Sequence, residues 1–270
     1  MATKISLPRS VQGVFLKQVT DEFVRQPLQK EEILRLSDIE HLPKNVQAYI
    51  IGTGAIGKPR VQNLWLEFDA KMFRKPGDRP MVCDVVQYSF FGTYTRIFFL
   101  KAKIFGIPAR VLHSYINCNA TMWVRIASLF NMVHITGPKL TATETVTVLN
   151  DLCAFAPSAL VDKRLSWKEI DSQKTEVTLH NDPYKVKALL YFNKQGELIN
   201  FESDDRPDVA GKPGRQDFKW STPLRNYKET GILKLNSEGE AIYHYPEGNF
   251  SYGTFTLRTI EYNLSGPKER

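Results

Sequence analysis

LTATETVTVLNDLCAFAP at 140–157 and YKVKALLYFNKQGELINF at 184–201 are the two runs whose contrast decides the fold. In the first, Thr141 and Glu144 have the Ser/Thr-x-x-Glu spacing of a capping box, in which each side chain bonds the other residue's backbone N–H. Val146, Leu149 and Cys153 then recur at helical spacing and Pro157 stops the run, which predicts a helix over about 141–154. In the second, Tyr184, Val186, Ala188, Leu190 and Phe192 alternate, Asn193-Lys194-Gln195-Gly196 turns the chain, and Ile199 and Phe201 continue on the return strand. The segment 136–206 therefore reads as one helix laid against an antiparallel meander.

On the N-terminal side, Val11, Val14, Phe15, Val19, Phe23 and Val24 form one helical stripe, interrupted at Pro27 and resumed at Ile33, Leu34 and Leu36. Two amphipathic helices are expected there. Pro43 suits the first position of a further short helix through Tyr49 and Ile50, ended by Gly52 and Gly54. Residues 1–58 thus read as mainly helical and 59–270 as the β part. Leu64, Leu66, Phe68, Ala70 and Met72 alternate with polar neighbours, apart from Trp65, in the first strand. Further strands are predicted at 82–90, 94–100, 109–117, 122–129, 175–180, 184–192, 197–203, 218–227, 232–235, 241–245 and 250–263. Hairpin turns are read at 75–78, 236–239 and 246–249. Connections this short demand antiparallel pairing. The runs 94–100 and 184–192 carry large apolar residues on both faces, whereas a sheet wet on one side alternates cleanly. The expectation is one α+β domain: a strongly curved, half-barrel-like antiparallel sheet of about ten strands, packed with N-terminal helices and one central helix. A helix-grip or sandwich arrangement is the alternative.

The formal charge of +7 comes from 36 basic and 29 acidic residues that are largely interleaved. The densest basic run, 206–219, is broken by Asp208 and Asp217 and lacks the continuous basic track with stacking aromatics of a nucleic-acid groove, so no nucleic acid is expected as a partner. The window 97–107 is interrupted by Lys101 and Lys103 and is too short to span a bilayer. Residues 1–10 lack the apolar core of a signal peptide, and Cys83, Cys118 and Cys153 have no CxxC spacing, which together suggest a cytoplasmic protein with reduced thiols. The five histidines show no metal-ligand spacing, although strand pairing could unite His113 and His134, and neither metal nor cofactor is expected. Gly52-Thr53-Gly54-Ala55-Ile56-Gly57 follows a helix and precedes Pro59, the wrong order for a dinucleotide-binding turn.

With no GxSxG elbow and an ample supply of Phe and Tyr, the two-faced apolar strands point to a non-enzymatic binder of a hydrophobic or amphiphilic small molecule, held in the sheet's concavity. Trp123, Trp167 and Trp220 would supply contact area, while Glu144, Asp171 and Arg206 are the candidate polar anchors. Two other functions fit the same residues. One is a hydrolase or isomerase using Glu144 or Asp171 as a base beside Arg206; the other is a protein–protein interaction module. Each anchor also has a plain structural role available: Glu144 in the capping box, Asp171 in a turn, and Arg206 paired with Asp204 or Asp205 at the surface.

His134-Ile135-Thr136-Gly137-Pro138, Glu144, the run 156–161, Trp167-x-x-Ile170-Asp171, Phe192-Asn193-x-x-Gly196, Arg206, Trp220, Gly239-Glu240-Ala241 and Ile260-Glu261-Tyr262 follow one another in an order that resembles an uncharacterised bacterial domain-of-unknown-function family, over roughly 42–263. That resemblance implies no established activity. Its members often carry an N-terminal membrane segment, where this chain shows amphipathic helices. The layout more distantly resembles lipoprotein-carrier half-barrels, a likeness of fold that implies an apolar cavity and does not fix function.

Overall fold

The computed structural model describes residues 10–104, 106–126, 130–207, 209 and 218–268. Its strands are β1 (Asn63–Met72), β2 (Met81–Phe90), β3 (Thr95–Ile104), β4 (Ile107–Ile116), β5 (Asn119–Ile126), β6 (Phe130–Thr136), β7 (Leu165–Asp171), β8 (Lys174–Asn181), β9 (Tyr184–Phe192), β10 (Leu198–Ser203), β11 (Trp220–Thr230), β12 (Leu233–Tyr245) and β13 (Gly248–Tyr262). They form one sheet in the order β6-β5-β4-β3-β2-β1-β13-β12-β11-β10-β9-β8-β7. Pairing is antiparallel throughout. The first and last strands of the β part, β1 and β13, meet in the middle, so two meanders extend outward from a shared centre. Register shifts at Glu67/Phe68, Val124/Arg125 and Ala241/Ile242 add local twist and bend.

Helix α3 (Pro138–Phe155) is enclosed by the curl of this sheet and is buried on every side from Thr143 to Phe155. A helix in that position cannot leave polar side chains to water. Thr141, Thr143, Thr145 and Thr147 solve the problem locally, each hydroxyl donating to the carbonyl four residues earlier. Tyr115 ties the helix to the far side of the sheet: its hydroxyl shares a hydrogen bond with the Thr145 hydroxyl at 3.1 Å and accepts one from Asn181 at 2.8 Å. Side chains thus bring the end of β4 to the end of β8 without a strand ladder. Helix α2 (Lys44–Gly52) packs Val46, Tyr49 and Ile50 into the same core, and the Tyr49 hydroxyl donates to the Cys153 carbonyl at 2.8 Å. Helix α1 (Val11–Arg25) lies on the opposite, convex face. There Val11, Phe15, Val19 and Phe23 cover Trp65, Val86, Tyr88, Phe90, Ile97, Phe99 and Leu112. This double cover explains why β3 is apolar on both faces.

Several expectations are corrected. Thirteen strands stand where about ten were expected, because β6 and β7 are edge strands with weak alternation. The second N-terminal helix is absent: backbone bonds from Glu32 and Leu34 to Gly57, Lys58 and Arg60 hold that segment extended. α3 begins at Pro138 after Gly137, so Thr141 and Glu144 form no capping box; Thr141 instead accepts the Ala120 N–H and bonds back to Gly137. The outer face of β9 is half-buried rather than covered, at Leu189 and Tyr191. Residues 236–239 lie inside β12, and the turn falls at Gly231, whose φ of +62° and close approach to the Ile260 carbonyl leave no room for a Cβ. Most of the loop at 206–214 lies outside the described residues.

Leu149 is fully buried on α3, whereas Leu16 on α1 is 44% exposed. Leu149→Ala is expected to lower the unfolding free energy by about 3 kcal/mol, and Leu16→Ala by less than about 0.5 kcal/mol, in urea titration. Comparable losses would show that α3 is not the packing centre.

Candidate functional site

Two turns apart on α3, Glu144 and Asp151 project toward the strands that carry Gln87, Arg96 and His113. The Arg96 guanidinium bridges the two carboxylates, with Nε 2.7 Å from Asp151 Oδ2 and Nη1 3.3 Å from Glu144 Oε2. Gln87 donates to the same Asp151 oxygen at 2.9 Å, and the Asn150 amide donates to the other at 3.2 Å. From the opposite wall Arg206 reaches Glu144 at 3.9 Å, donates to Thr147 and Tyr243, and stacks over the Trp220 ring at 4.4 Å. Trp220 in turn donates its indole N–H to Tyr252 at 3.1 Å. Two arginines and two carboxylates thus share one buried site, and their formal charges cancel. A buried charge without its partner is costly, so this balance is what allows the cluster to exist.

Burial opposes ionisation of Glu144, but the positive field of its neighbours, His113 only when protonated and Arg96 and Arg206 at every pH, outweighs it and holds the carboxyl below its usual pKa. Burial also depresses the pKa of His113, with Arg96 and Arg206 adding to the effect against the pull of Glu144. At neutral pH His113 is therefore uncharged, and the two guanidiniums keep Glu144 ionised. Its Nδ1 sits 3.7 Å from Glu144 Oε1, while its Nε2 has no hydrogen-bond partner.

Beside this cluster lies a cavity of about 360 Å³ between α3 and the inner face of the sheet. Phe68, Met72, Met81, Phe98, Leu100 and Val111 are among its apolar lining residues, with Met122, Phe155 and Leu257. Cys83 also lines it, and burial pushes its thiol up to about 11, which leaves it protonated and unreactive. Glu238 and Glu240 line the cavity on β12 and pair with Arg225. Asn236 contributes a buried Oδ1 without a hydrogen-bond partner.

Of the sequence-derived candidates, Glu144, Arg206 and Trp220 line this cavity together. The others are elsewhere. Trp123 packs with the convex-face cluster, edge-on to His134 and under Arg125. Trp167 lies half-buried on β7 against the core, away from the cavity lining. Asp171 is exposed and accepts the Gln173 N–H at 2.8 Å, a turn role. Arg206 pairs inward with Glu144 rather than with Asp204 or Asp205 at the surface. His113 and His134 are on opposite faces of the sheet and do not meet. Among the described residues no group of three or more His, Cys, Asp or Glu could hold a metal, and no helix is long and apolar enough to cross a membrane.

Sequence reasoning missed Gln87, Arg96 and Asp151, and weighed His113 only as a metal ligand beside His134. A signal existed for two of them, since Gln87 and Arg96 are polar groups at inward positions of otherwise apolar strands. Such residues need a buried partner.

A family model matches residues 32–255. The chain belongs to a family of unknown function, DUF6544. The match takes in every cavity-lining residue named above except Leu257, and it leaves α1 outside. No curated protein matches this DUF6544 chain. Among solved structures it is similar to a DUF1329 family protein from Desulfovibrio piger, at 11% identity and a TM-score of 0.43 over 92% of this chain and 93% of that one. It is also similar to a LolA superfamily protein from Nitrosomonas europaea, at 10% identity and a TM-score of 0.43 over 86% and 94% of the two chains.

Both depressed pKa values make the unfolded chain bind more protons than the folded one on acidification. Stability is therefore expected to be full above about pH 6.5 and to fall first as unfolded-state His113 protonates, then further below about pH 4.3 as Glu144 does. Urea midpoints measured from about pH 8 to about pH 3 check this. His113→Gln should remove the loss between about pH 6.5 and 5 and leave the lower limb. Arg96→Met should cost about 3–5 kcal/mol by leaving two buried carboxylates short of their cation.

Proposed function

We propose that this protein is a non-enzymatic binder of an amphiphilic small molecule, taken up in the cavity between α3 and the curved sheet. The observation that carries this reading is the cavity itself: about 360 Å³, apolar over most of its wall and bordered on one side by a polar cluster. That volume falls within the range of small-molecule sites. At about 30 Å³ per water-sized group it holds about a dozen such groups. Phe68, Phe98, Leu100 and Val111 would surround the apolar part, and Arg206, Glu144 and Trp220 would lie against the head group.

The state of the charges narrows the head group. Arg96 is already bonded to Asp151 and Glu144, and Arg206 to Thr147, Tyr243 and Glu144. An anionic ligand would have to displace a buried carboxylate from one of them, at a cost of several kcal/mol. A head group of no net charge meets a compensated wall instead. The partnerless polar atoms of His113 and Asn236 on lining residues support a hydrogen-bonding rather than a purely hydrocarbon ligand. Acid–base catalysis has less support, because Glu144 is held ionised between two arginines and Asp171 is outside the cavity.

The test is uptake of the uncharged dye Nile red, followed by fluorescence, and its displacement by a monoacylglycerol or by the corresponding fatty acid. The wild-type protein is expected to bind the dye and to release it to the monoacylglycerol at lower concentration than to the acid. Leu100→Trp and Val111→Trp, which fill the cavity, should weaken binding at least about tenfold, while Leu16→Trp on the exposed side of α1 should not. Equal binding by the filled variants would overturn the assignment.

A further inference from the structure

The hairpins β1–β2 and β3–β4 end side by side, since β2 and β3 pair from Phe90↔Thr95 to Cys83↔Ala102. Their tips enclose a surface groove lined by Arg74, Arg79, Lys101, Lys103 and Arg110, against only Asp78 and Asp84. Exposed Lys71 and Lys75 adjoin it. Asp78 is engaged by Arg74 and Lys75, at 3.8 and 4.0 Å, and Asp84 by Arg258 at 3.3 Å. Lys101 and Arg110 are directly opposed across β3 and β4, and Arg110 is opposed in turn to Arg125 on β5. On its other side Lys101 is opposed to Asp84 of β2.

Two further features belong to the same end. Val82 is 71% exposed among the basic side chains of the groove, and Ile107, 47% exposed, lies at the same end on the sheet's other face. Met81 lines both this groove and the internal cavity, and its cross-strand partner Met72 lines the cavity too. The basic, apolar-tipped surface therefore adjoins the cavity wall. A surface of lysine and arginine with protruding aliphatic groups is complementary to the interface of an anionic bilayer, where the cations meet head-group phosphates and the aliphatic groups enter the acyl boundary.

We infer that the β1–β2 and β3–β4 hairpin tips are a docking surface for anionic phospholipid membrane, placed so that the cavity's Met72–Met81 wall faces the lipid. This goes beyond the reading of the cavity as an amphiphile site and concerns where the amphiphile would be exchanged. A nucleic acid would find the same charge but would leave the exposed Val82 and Ile107 unused.

Co-sedimentation tests the inference, using vesicles of phosphatidylcholine alone and of an equal mixture of phosphatidylcholine and phosphatidylglycerol. The full chain is expected to sediment with the mixed vesicles, not with phosphatidylcholine alone, and to be released by raised salt. The triple variant Arg74→Gln, Arg79→Gln, Lys103→Gln should lower partitioning about a hundred-fold, at about fivefold per cation. A control triple with the same net charge, Lys30→Gln, Lys163→Gln, Lys185→Gln, should bind as the wild type does. Val82→Gln should weaken binding with the charge of the groove unchanged. Failure to bind mixed vesicles, equal losses in the two triples, or no effect of Val82→Gln would each overturn the proposal. Nile red uptake in the absence of vesicles is measured on the same variants and should be unchanged, so a failed membrane interaction is distinguishable from a failed cavity.

Discussion

Arg96 is the interaction on which the interior depends. It lies on an inward position of β3 and binds two carboxylates of α3, Asp151 and Glu144. A helix enclosed by a sheet has no solvent-facing side on which to place ionised groups, so each must find a counter-charge from the surrounding strands. Arg96 from one wall and Arg206 from the other provide it. The same ties fix the rotation of α3 about its axis. With Glu144 and Asp151 held on one side, Val146, Leu149 and Leu152 are committed to the core.

That arrangement also explains why an open space persists beside the helix. The charged cluster and its supporting Gln87, Asn150 and Thr222 occupy one side, where the side chains are engaged with one another. The apolar residues of β1 to β5 on the inner face have no matching apolar surface on that side of α3, so they border a cavity instead of closing on it. On the convex face no such conflict exists. There Phe15 stacks on Phe99 with centroids 4.8 Å apart, and the buried Glu22 at the end of α1 is satisfied by Arg25, Gln26 and Thr95 at the margin of the apolar contact.

Much of this architecture is legible in the sequence. Alternation in β1 apart from Trp65, short turns, and the two-faced run in β3 lead to a curved antiparallel sheet packed with helices. Local rules failed where long-range partners override them. Thr141 and Glu144 have capping-box spacing, yet Glu144 is claimed by Arg96, 48 positions away in the chain. Ile33 and Leu34 continue a helical stripe, yet the strip at 57–60 claims their backbone. The edge strands β6 and β7 escaped detection because an edge needs less alternation than a central strand. Within the site, Glu144, Arg206 and Trp220 were found as isolated candidates. Their common location was not, because it arises from α3, the segment after β10 and the start of β11 converging inside a curl that no local spacing encodes. The tryptophans separate for the same reason: Trp123 is one residue from Met122, and that single step along a strand puts it on the other face of the sheet.

The central claim is that the space beside α3 holds an amphiphile. Native mass spectrometry of freshly purified protein addresses it most directly, comparing the wild type with Leu100→Trp. The account predicts a wild-type species heavier than the chain mass by one small uncharged amphiphile, lost on denaturation and absent from the filled variant. A wild-type protein that carries no such mass, and takes up none when amphiphiles are added, would contradict it.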